Sequence, residues 1–168
     1  MNRQQLEHIL RAGGSVADER ELVVVGSQAI LGAYPDAPAE LLVSVEADVY
    51  PLHNPAKADL IDGSIGELSP FHETFGYYAH GVGPETAALP ANWKTRLVKV
   101  QNENTGGVIG WCLSPGDLAI SKLLAGREKD LYFVRVMLGA GLVSKSALES
   151  LLRELPADQA AVVRPRLG

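Results

Sequence analysis

A run of branched apolar residues that ends in a glycine–serine turn is the feature that most constrains the fold. Leu22-Val23-Val24-Val25 contains no polar residue, which is typical of a buried β-strand. Gly26-Ser27 ends this run, and residues 28–33 can begin a helix. A second strand is predicted over 41–50, where apolar and polar residues alternate along the chain. Strands that alternate with helices in this way indicate an α/β fold.

The rest of the chain supplies further strands and a helical C-terminal part. The sequence predicts strands over 77–82, 96–100 and 108–113, with a hairpin turn over 102–107. It predicts helices over 4–11, 55–68, 114–138 and 144–155, a short turn of helix from Ser69-Pro70, and a last short helix that frays near Pro165. We therefore expect one domain over 1–168, with a helical segment from about residue 114 onward.

Composition excludes several classes of protein. A chain of 168 residues with 46% hydrophobic and 21% charged residues is long and apolar enough to bury a core, which excludes intrinsic disorder. The formal charge of −5 gives no overall attraction to nucleic acid or membranes, although a local basic patch would still allow nucleic-acid binding. The sequence shows neither a signal peptide nor a membrane-length apolar stretch, so a cytoplasmic location is the default expectation.

Cysteine and histidine give little sign of a metal site. Cys112 is the only cysteine, so neither an intrachain disulfide nor a cysteine-based zinc site can form, and we expect an inert thiol on a strand. The four histidines share no metal-ligand spacing, although His80 lies on a predicted strand and could face a pocket.

The turn at Gly26-Ser27 has two interpretations. A glycine between a strand and a helix lets a phosphate approach the backbone, where the helix N-terminus offers N–H donors. The alternative is an ordinary tight turn, since the segment is too short for a Walker loop or a dinucleotide fingerprint.

Two carboxylates, Glu46 and Asp48, lie on the second predicted strand. Residues two apart on a strand project from the same face, about 6 to 7 Å from one another. Carboxylates at that separation can hold one or two divalent cations that carry the phosphates of a nucleotide. The alternative is a solvated strand face, although acidic residues are uncommon in strands.

A charged pair is predicted on the apolar side of the helix over 114–138. At about 100° per residue along this helix, Arg127 lies near the middle of its apolar stripe and Asp130 at the edge. Both are then expected to be mostly buried, paired with each other or bonded to the sheet. They form either a structural ion pair or part of a pocket wall that holds a phosphate through Arg127 or Lys122.

Taken in this order, these features resemble the nucleotidyltransferase superfamily. Its signature is a Gly-Gly or Gly-Ser turn followed by a strand that carries acidic-x-acidic, here Glu46-x-Asp48. The segment Leu113–Asp130 is similar to the Lys and Arg-x-Lys-Asp helix of a small bacterial branch that includes the toxins of abortive-infection toxin–antitoxin systems. The resemblance spans roughly residues 22–143.

The resemblance implies a fold and a set of roles. The fold is a mixed β-sheet flanked by helices. Gly26 and Ser27 would bind the phosphates of a nucleoside triphosphate, and Glu46 and Asp48 would bind Mg²⁺. Asp48, Lys122 and Asp130 would be the catalytic residues of one cleft, and Lys122 would also bind the nucleotide. Arg127 would support Asp130 or reach the phosphates.

The function expected from the resemblance is Mg²⁺-dependent transfer of a nucleotidyl group to a hydroxyl on RNA or protein. Such a protein could be the toxin of a toxin–antitoxin pair, with an antitoxin or a second copy as partner. The sequence departs from the family pattern at two places. The first acidic position is Glu46 rather than the commoner Asp. The family usually has a third carboxylate on a later strand, but the comparable stretch 96–103 has Lys99 where an acid would alternate. The alternative is therefore a catalytically inactive module that binds a nucleotide or a protein partner.

Overall fold

The computed structural model describes residues 1–168 and consists of one five-stranded sheet and eight α-helices. The strands are β1 (Glu21–Val25), β2 (Glu46–Pro51), β3 (Tyr78–Gly81), β4 (Val98–Val100) and β5 (Ile109–Cys112). The helices are α1 (Arg3–Ala17), α2 (Ile30–Ala33), α3 (Ala58–Ile65), α4 (Pro70–Phe75), α5 (Pro115–Ala125), α6 (Glu128–Gly139), α7 (Lys145–Leu151) and α8 (Ala157–Arg166).

The sheet is mixed, with strand order β3-β2-β1-β5-β4. β1 lies at the centre, parallel to β5 and antiparallel to β2, while the outer pairs are parallel β2–β3 and antiparallel β4–β5. The last four residues of β1 are buried, as expected for a strand with neighbours on both sides. The predicted mixed sheet with flanking helices is confirmed.

Helix α1 continues through Gly13-Gly14 to Ala17, so its predicted end at residue 11 was wrong. A Cβ at Gly14 would lie 2.5 Å from Cγ2 of Val108, and one at Gly13 would lie 3.2 Å from Cδ1 of Leu22. The glycines therefore let the helix approach the sheet closely. The helix ends where Asp18 takes a left-handed conformation.

The strand predicted over 41–50 begins only at Glu46. Ala39–Leu41 form a 3-10 turn, and the Val43 side chain is 78% exposed. The carbonyl groups of Leu42 and Ser44 accept hydrogen bonds from the amino group of Met1 rather than from a neighbouring strand. The alternation of apolar and polar residues over 41–45 therefore does not correspond to a strand paired in the sheet.

The helix predicted over 114–138 is two helices. Gly126 has φ +68 and ends α5, and Arg127 is the N-cap of α6. The predicted start is confirmed, since the Ser114 side chain accepts a hydrogen bond from the backbone N–H of Asp117 and Pro115 is the first helical residue.

The C-terminal helices pack around α5. The buried apolar residues from Met1 to Leu167 form one cluster that includes the central strands and these helices. Asp117 in the first turn of α5 is fully buried and accepts two hydrogen bonds from Arg96, which also pairs with Glu154. No helix is long and apolar enough to cross a membrane.

Candidate active site

The turn after β1 requires a glycine. Gly26 has φ 70 and ψ −174, a backbone conformation that is essentially restricted to glycine. A Cβ at this position would lie 2.5 Å from Oδ2 of Asp48. Val25 is paired with Asp48 in the antiparallel register of β1 and β2, so the sheet itself places the turn beside this carboxylate.

The two predicted carboxylates lie side by side on β2 and are held by residues of β3. The Tyr78 hydroxyl donates to Oε2 of Glu46 at 2.7 Å, and Nδ1 of His80 lies 3.1 Å from Oδ1 of Asp48. Both contacts follow from the parallel register, in which Tyr78 is opposite Glu46 and His80 is opposite Asp48. Burial and the neighbouring charge of Glu46 raise the pKa of Asp48, outweighing the opposite effect of His80.

Lys122 approaches the turn from helix α5. Its Nζ donates to Oγ of Ser27 at 2.6 Å, lies 3.4 Å from Oδ1 of Asp130, and stands 4.7 Å from the centre of the Phe133 ring. Burial lowers the pKa of Lys122, and the carboxylate of Asp130 opposes this effect. The ammonium group is therefore held beside the turn by a hydroxyl, a carboxylate and an aromatic face.

Arg127 and Asp130 form the predicted ion pair, but only Asp130 is buried. Nε of Arg127 donates to Oδ2 of Asp130 at 2.6 Å, whereas 62% of the Arg127 side chain is exposed. The predicted burial of Arg127 was wrong. That prediction assumed one continuous helix, whereas α5 ends at Gly126 and Arg127 no longer lies on its apolar face. Burial alone would raise the pKa of Asp130, but Arg127 and Lys122 outweigh it and lower that pKa.

A cavity of about 750 Å³ brings all of these groups together. Its lining includes every residue to which the sequence assigned a role: Gly26, Ser27, Glu46, Asp48, Lys122, Arg127 and Asp130. The turn stands between opposite charges, since Asp48 adjoins Gly26 and Lys122 contacts Ser27. The structure thus shows that these residues share one cavity, and their individual roles stay predictions.

The comparisons with known proteins agree with this arrangement. Residues 4–162 match the family described as "Nucleotidyltransferase of unknown function (DUF6036)". The chain belongs to this nucleotidyltransferase family. The comparisons found no match among curated proteins and none among solved structures. A closer relation to abortive-infection toxins stays a prediction.

In this member of the nucleotidyltransferase family, a histidine of β3, the strand next to β2, lines the cavity beside the carboxylates. The segment 96–103 contains β4, at the edge of the sheet opposite β3, so a carboxylate there would lie away from Glu46 and Asp48. The strand beside β2 is β3, and its residue opposite Asp48 is His80. Sequence spacing did not reveal this neighbour because 32 residues separate the two positions.

Cys112 is buried at the end of β5, where an inert thiol was expected. Its side chain is fully buried, and burial raises the pKa of the thiol to about 12. It does not line the cavity and takes no part in the candidate site.

Proposed function

We propose that the protein transfers a nucleotidyl group from a nucleoside triphosphate, in complex with Mg²⁺, to a hydroxyl group on RNA or protein. The observation that carries this proposal is the Gly26-Ser27 turn between a carboxylate pair and a buried lysine. A magnesium–triphosphate complex would fit this arrangement, because the carboxylates would bind the cation and the lysine would bind phosphate oxygens. Membership of a nucleotidyltransferase family supports the same reaction class.

The carboxylate pair fits a hard divalent cation. Oε1 of Glu46 and Oδ2 of Asp48 accept no hydrogen bond from the protein, while their partner oxygens are held by Tyr78 and His80. Mg²⁺ is commonly bound through one or two carboxylates together with substrate phosphates. When bound, such a cation would neutralise charge on the phosphates and on the leaving pyrophosphate.

The basic side of the cavity fits the triphosphate. Gly26 has no side chain to block the approach of a phosphate, and the Ser27 hydroxyl faces the same cavity. The Lys122 ammonium has three N–H donors. Two of them donate to Ser27 and Asp130, so one remains for a phosphate oxygen. Arg127 is exposed at the cavity and adds a planar guanidinium group suited to phosphate.

In the proposed reaction the oxygen of the acceptor hydroxyl forms a bond to the α-phosphorus. The bond between the α-phosphorus and the oxygen that bridges to the β-phosphorus breaks, and pyrophosphate leaves. The proton of the hydroxyl passes to water. The side chains would position the reacting groups and stabilise the charge of the transition state, and these two effects account for most of the catalysis of phosphate transfer.

One observation favours a second candidate function. His80 stands where a third carboxylate would have to lie to join Glu46 and Asp48 on the neighbouring strand. A site with only Glu46 and Asp48 as carboxylates on the sheet could bind a nucleotide without transferring it. The alternative is therefore a nucleotide-binding or partner-binding module with the same fold.

The biological role we propose is that of a toxin in a toxin–antitoxin pair, acting in the cytoplasm with an antitoxin or a second copy as partner. Support for this role comes from the resemblance of the segment Leu113–Asp130 to the corresponding helix of abortive-infection toxins.

The test combines calorimetry with a transfer assay. Titration of the full chain with each nucleoside triphosphate and Mg²⁺ should show binding, and labelled nucleotide should move to RNA or protein. Asp48→Asn should lose both activities, whereas Asp59→Asn, on the exposed surface of α3, should keep them. Transfer that survives Asp48→Asn would refute the proposed reaction. Binding without transfer would favour the inactive module.

A further inference from the structure

The carboxylate pair and His80 together present three atoms that can bind one ion. The ligand atoms of Glu46, Asp48 and His80 all lie within 4.8 Å of one another. Two of them, Nδ1 of His80 and Oδ1 of Asp48, are 3.1 Å apart. Glu46 and Asp48 lie two residues apart on β2, and His80 lies opposite Asp48 on β3, so strand pairing brings the three side chains together on the sheet.

These separations match those of ligands around a single metal ion. Two ligands about 2.1 Å from an ion lie about 3 Å apart when adjacent and about 4.2 Å apart when opposite. The distance of 3.1 Å corresponds to adjacent ligands, and the outer limit of 4.8 Å exceeds the distance between opposite ligands by about 0.6 Å, which small movements of both side chains would close. An ion between His80 and Asp48 would replace the hydrogen bond that now joins them.

The neighbouring contacts leave these ligands available. Glu46 is held at Oε2 by the Tyr78 hydroxyl, which leaves Oε1 free. The His80 side chain is half exposed and lines the cavity, so its ring can turn the nitrogen toward an ion. The site is open to substrate phosphates, which would supply further oxygen ligands.

We propose that Glu46, Asp48 and His80 form a mixed oxygen–nitrogen site that selects a first-row transition cation such as Mn²⁺ over Mg²⁺. The inference rests on the proposed function, because it concerns the cation of the same cavity. Mg²⁺ prefers oxygen ligands and gives up its water reluctantly, whereas an imidazole nitrogen suits transition metals. His80 therefore serves as a cation ligand in the position where a third carboxylate would give an all-oxygen site.

The experiment follows Mn²⁺ itself by electron paramagnetic resonance on the full chain without nucleotide. The wild-type protein should bind Mn²⁺, and pulsed measurements should detect a ¹⁴N coupling from a coordinated imidazole. Competition should require Mg²⁺ at a concentration at least about tenfold higher, because an imidazole nitrogen suits Mn²⁺ better than Mg²⁺.

Two variants and one control isolate His80. His80→Asp should still bind Mn²⁺ but lose the ¹⁴N coupling, and its preference for Mn²⁺ over Mg²⁺ should fall by about tenfold or more. His80→Ala should lose the coupling and bind Mn²⁺ at least about tenfold more weakly. The control His53→Asn changes an exposed histidine that pairs with Glu21 outside the cavity, and it should behave as the wild type.

The outcomes separate this inference from the proposed function. Absence of Mn²⁺ binding, absence of ¹⁴N coupling in the wild type, or a coupling that persists in His80→Asp would overturn the mixed site. Transfer of nucleotide by a protein without ¹⁴N coupling would overturn the mixed site and leave the proposed function standing. A histidine-dependent coupling in a protein that transfers no nucleotide would support the mixed site and refute the enzyme.

Discussion

Replacement of Gly26 by alanine tests the turn at the centre of the candidate site. The alanine Cβ would lie 2.5 Å from Oδ2 of Asp48, and the backbone at this position has φ 70 and ψ −174. Gly26→Ala must therefore strain the backbone and displace the carboxylate. Both effects act directly on the site.

The two contributions give the expected loss of stability. A non-glycine residue in this backbone region costs about 1–3 kcal/mol. Moving the Asp48 side chain away from a favoured rotamer costs about a further 0.5–1.5 kcal/mol. We expect a total of about 3 kcal/mol, and for a chain of this length that corresponds to a fall in melting temperature of about 6–12 °C.

The assay is thermal unfolding followed by circular dichroism, together with nucleotide binding by calorimetry. Gly63→Ala is the matched control, because Gly63 is exposed within α3 and a Cβ there would contact nothing within 4 Å. This control should be more stable than the wild type by about 0.5–1 kcal/mol, the ordinary gain from alanine in a helix. Gly26→Ala should also bind nucleotide more weakly, whereas the control should not.

A double-mutant cycle separates strain from displacement. In an Asp48→Ala background the Cβ of Gly26→Ala has no carboxylate to displace, so its cost should fall by about 0.5–1.5 kcal/mol. Equal costs in the two backgrounds would show that the close approach of Gly26 to Asp48 is not real. A Gly26→Ala protein as stable as the Gly63→Ala control would refute the whole interpretation of the turn.

Three further predictions concern groups outside the turn. Asp117→Asn removes the fully buried carboxylate that pairs with Arg96, which then keeps only Glu154, and should cost about 3 kcal/mol in urea unfolding; a loss below about 1 kcal/mol would contradict this. Cys112, with its pKa raised to about 12, should resist iodoacetamide at pH 8 until the protein is unfolded. Burial alone would raise the pKa of Glu7, but hydrogen bonds from Asn104 and Asn102 outweigh it and lower that pKa. Glu7 therefore stabilises the fold above its ordinary pKa of 4.5, and this contribution is lost as pH falls through the lowered folded value. The stability gap between wild type and Glu7→Gln should narrow from pH 7 to pH 3 in urea unfolding, and an unchanged gap would contradict this.

The parts of the fold that depend on local patterns could be predicted from the sequence. The apolar run before Gly26 is a central strand, and the Glu46-x-Asp48 alternation is a real strand face. Both carboxylates project from the same face because the period of a strand is two residues. The start of α5 at Pro115 followed from its capping residues.

The parts that depend on distant contacts could not be predicted. Gly13-Gly14 resembles a helix end, yet close packing against Val108 keeps the helix intact. Gly126 interrupts an otherwise continuous helical period, and its left-handed conformation ends α5 and exposes Arg127. A glycine is a common C-terminal signal of a helix, so the residue type offered a sign of this break that the apolar periodicity hid.

His80 shows the same limit within the candidate site. Its strand was predicted, but its neighbour in the sheet is decided by the pairing of β2 with β3. Parallel strands are joined by long connections, so the partner of a residue cannot be found from spacing along the chain. The position of a histidine beside Asp48 therefore becomes visible only in the structure.

The most direct test of the central claim is a crystal structure with a non-hydrolysable nucleoside triphosphate and a divalent cation. We expect the cation about 2.1 Å from oxygens of Glu46 and Asp48, and phosphate oxygens about 3 Å from Ser27 and from Nζ of Lys122. The nucleotide should thus join the acidic and basic sides of the cavity across the Gly26 turn. A nucleotide bound elsewhere on the protein, with the carboxylates and Lys122 free of it, would contradict the account.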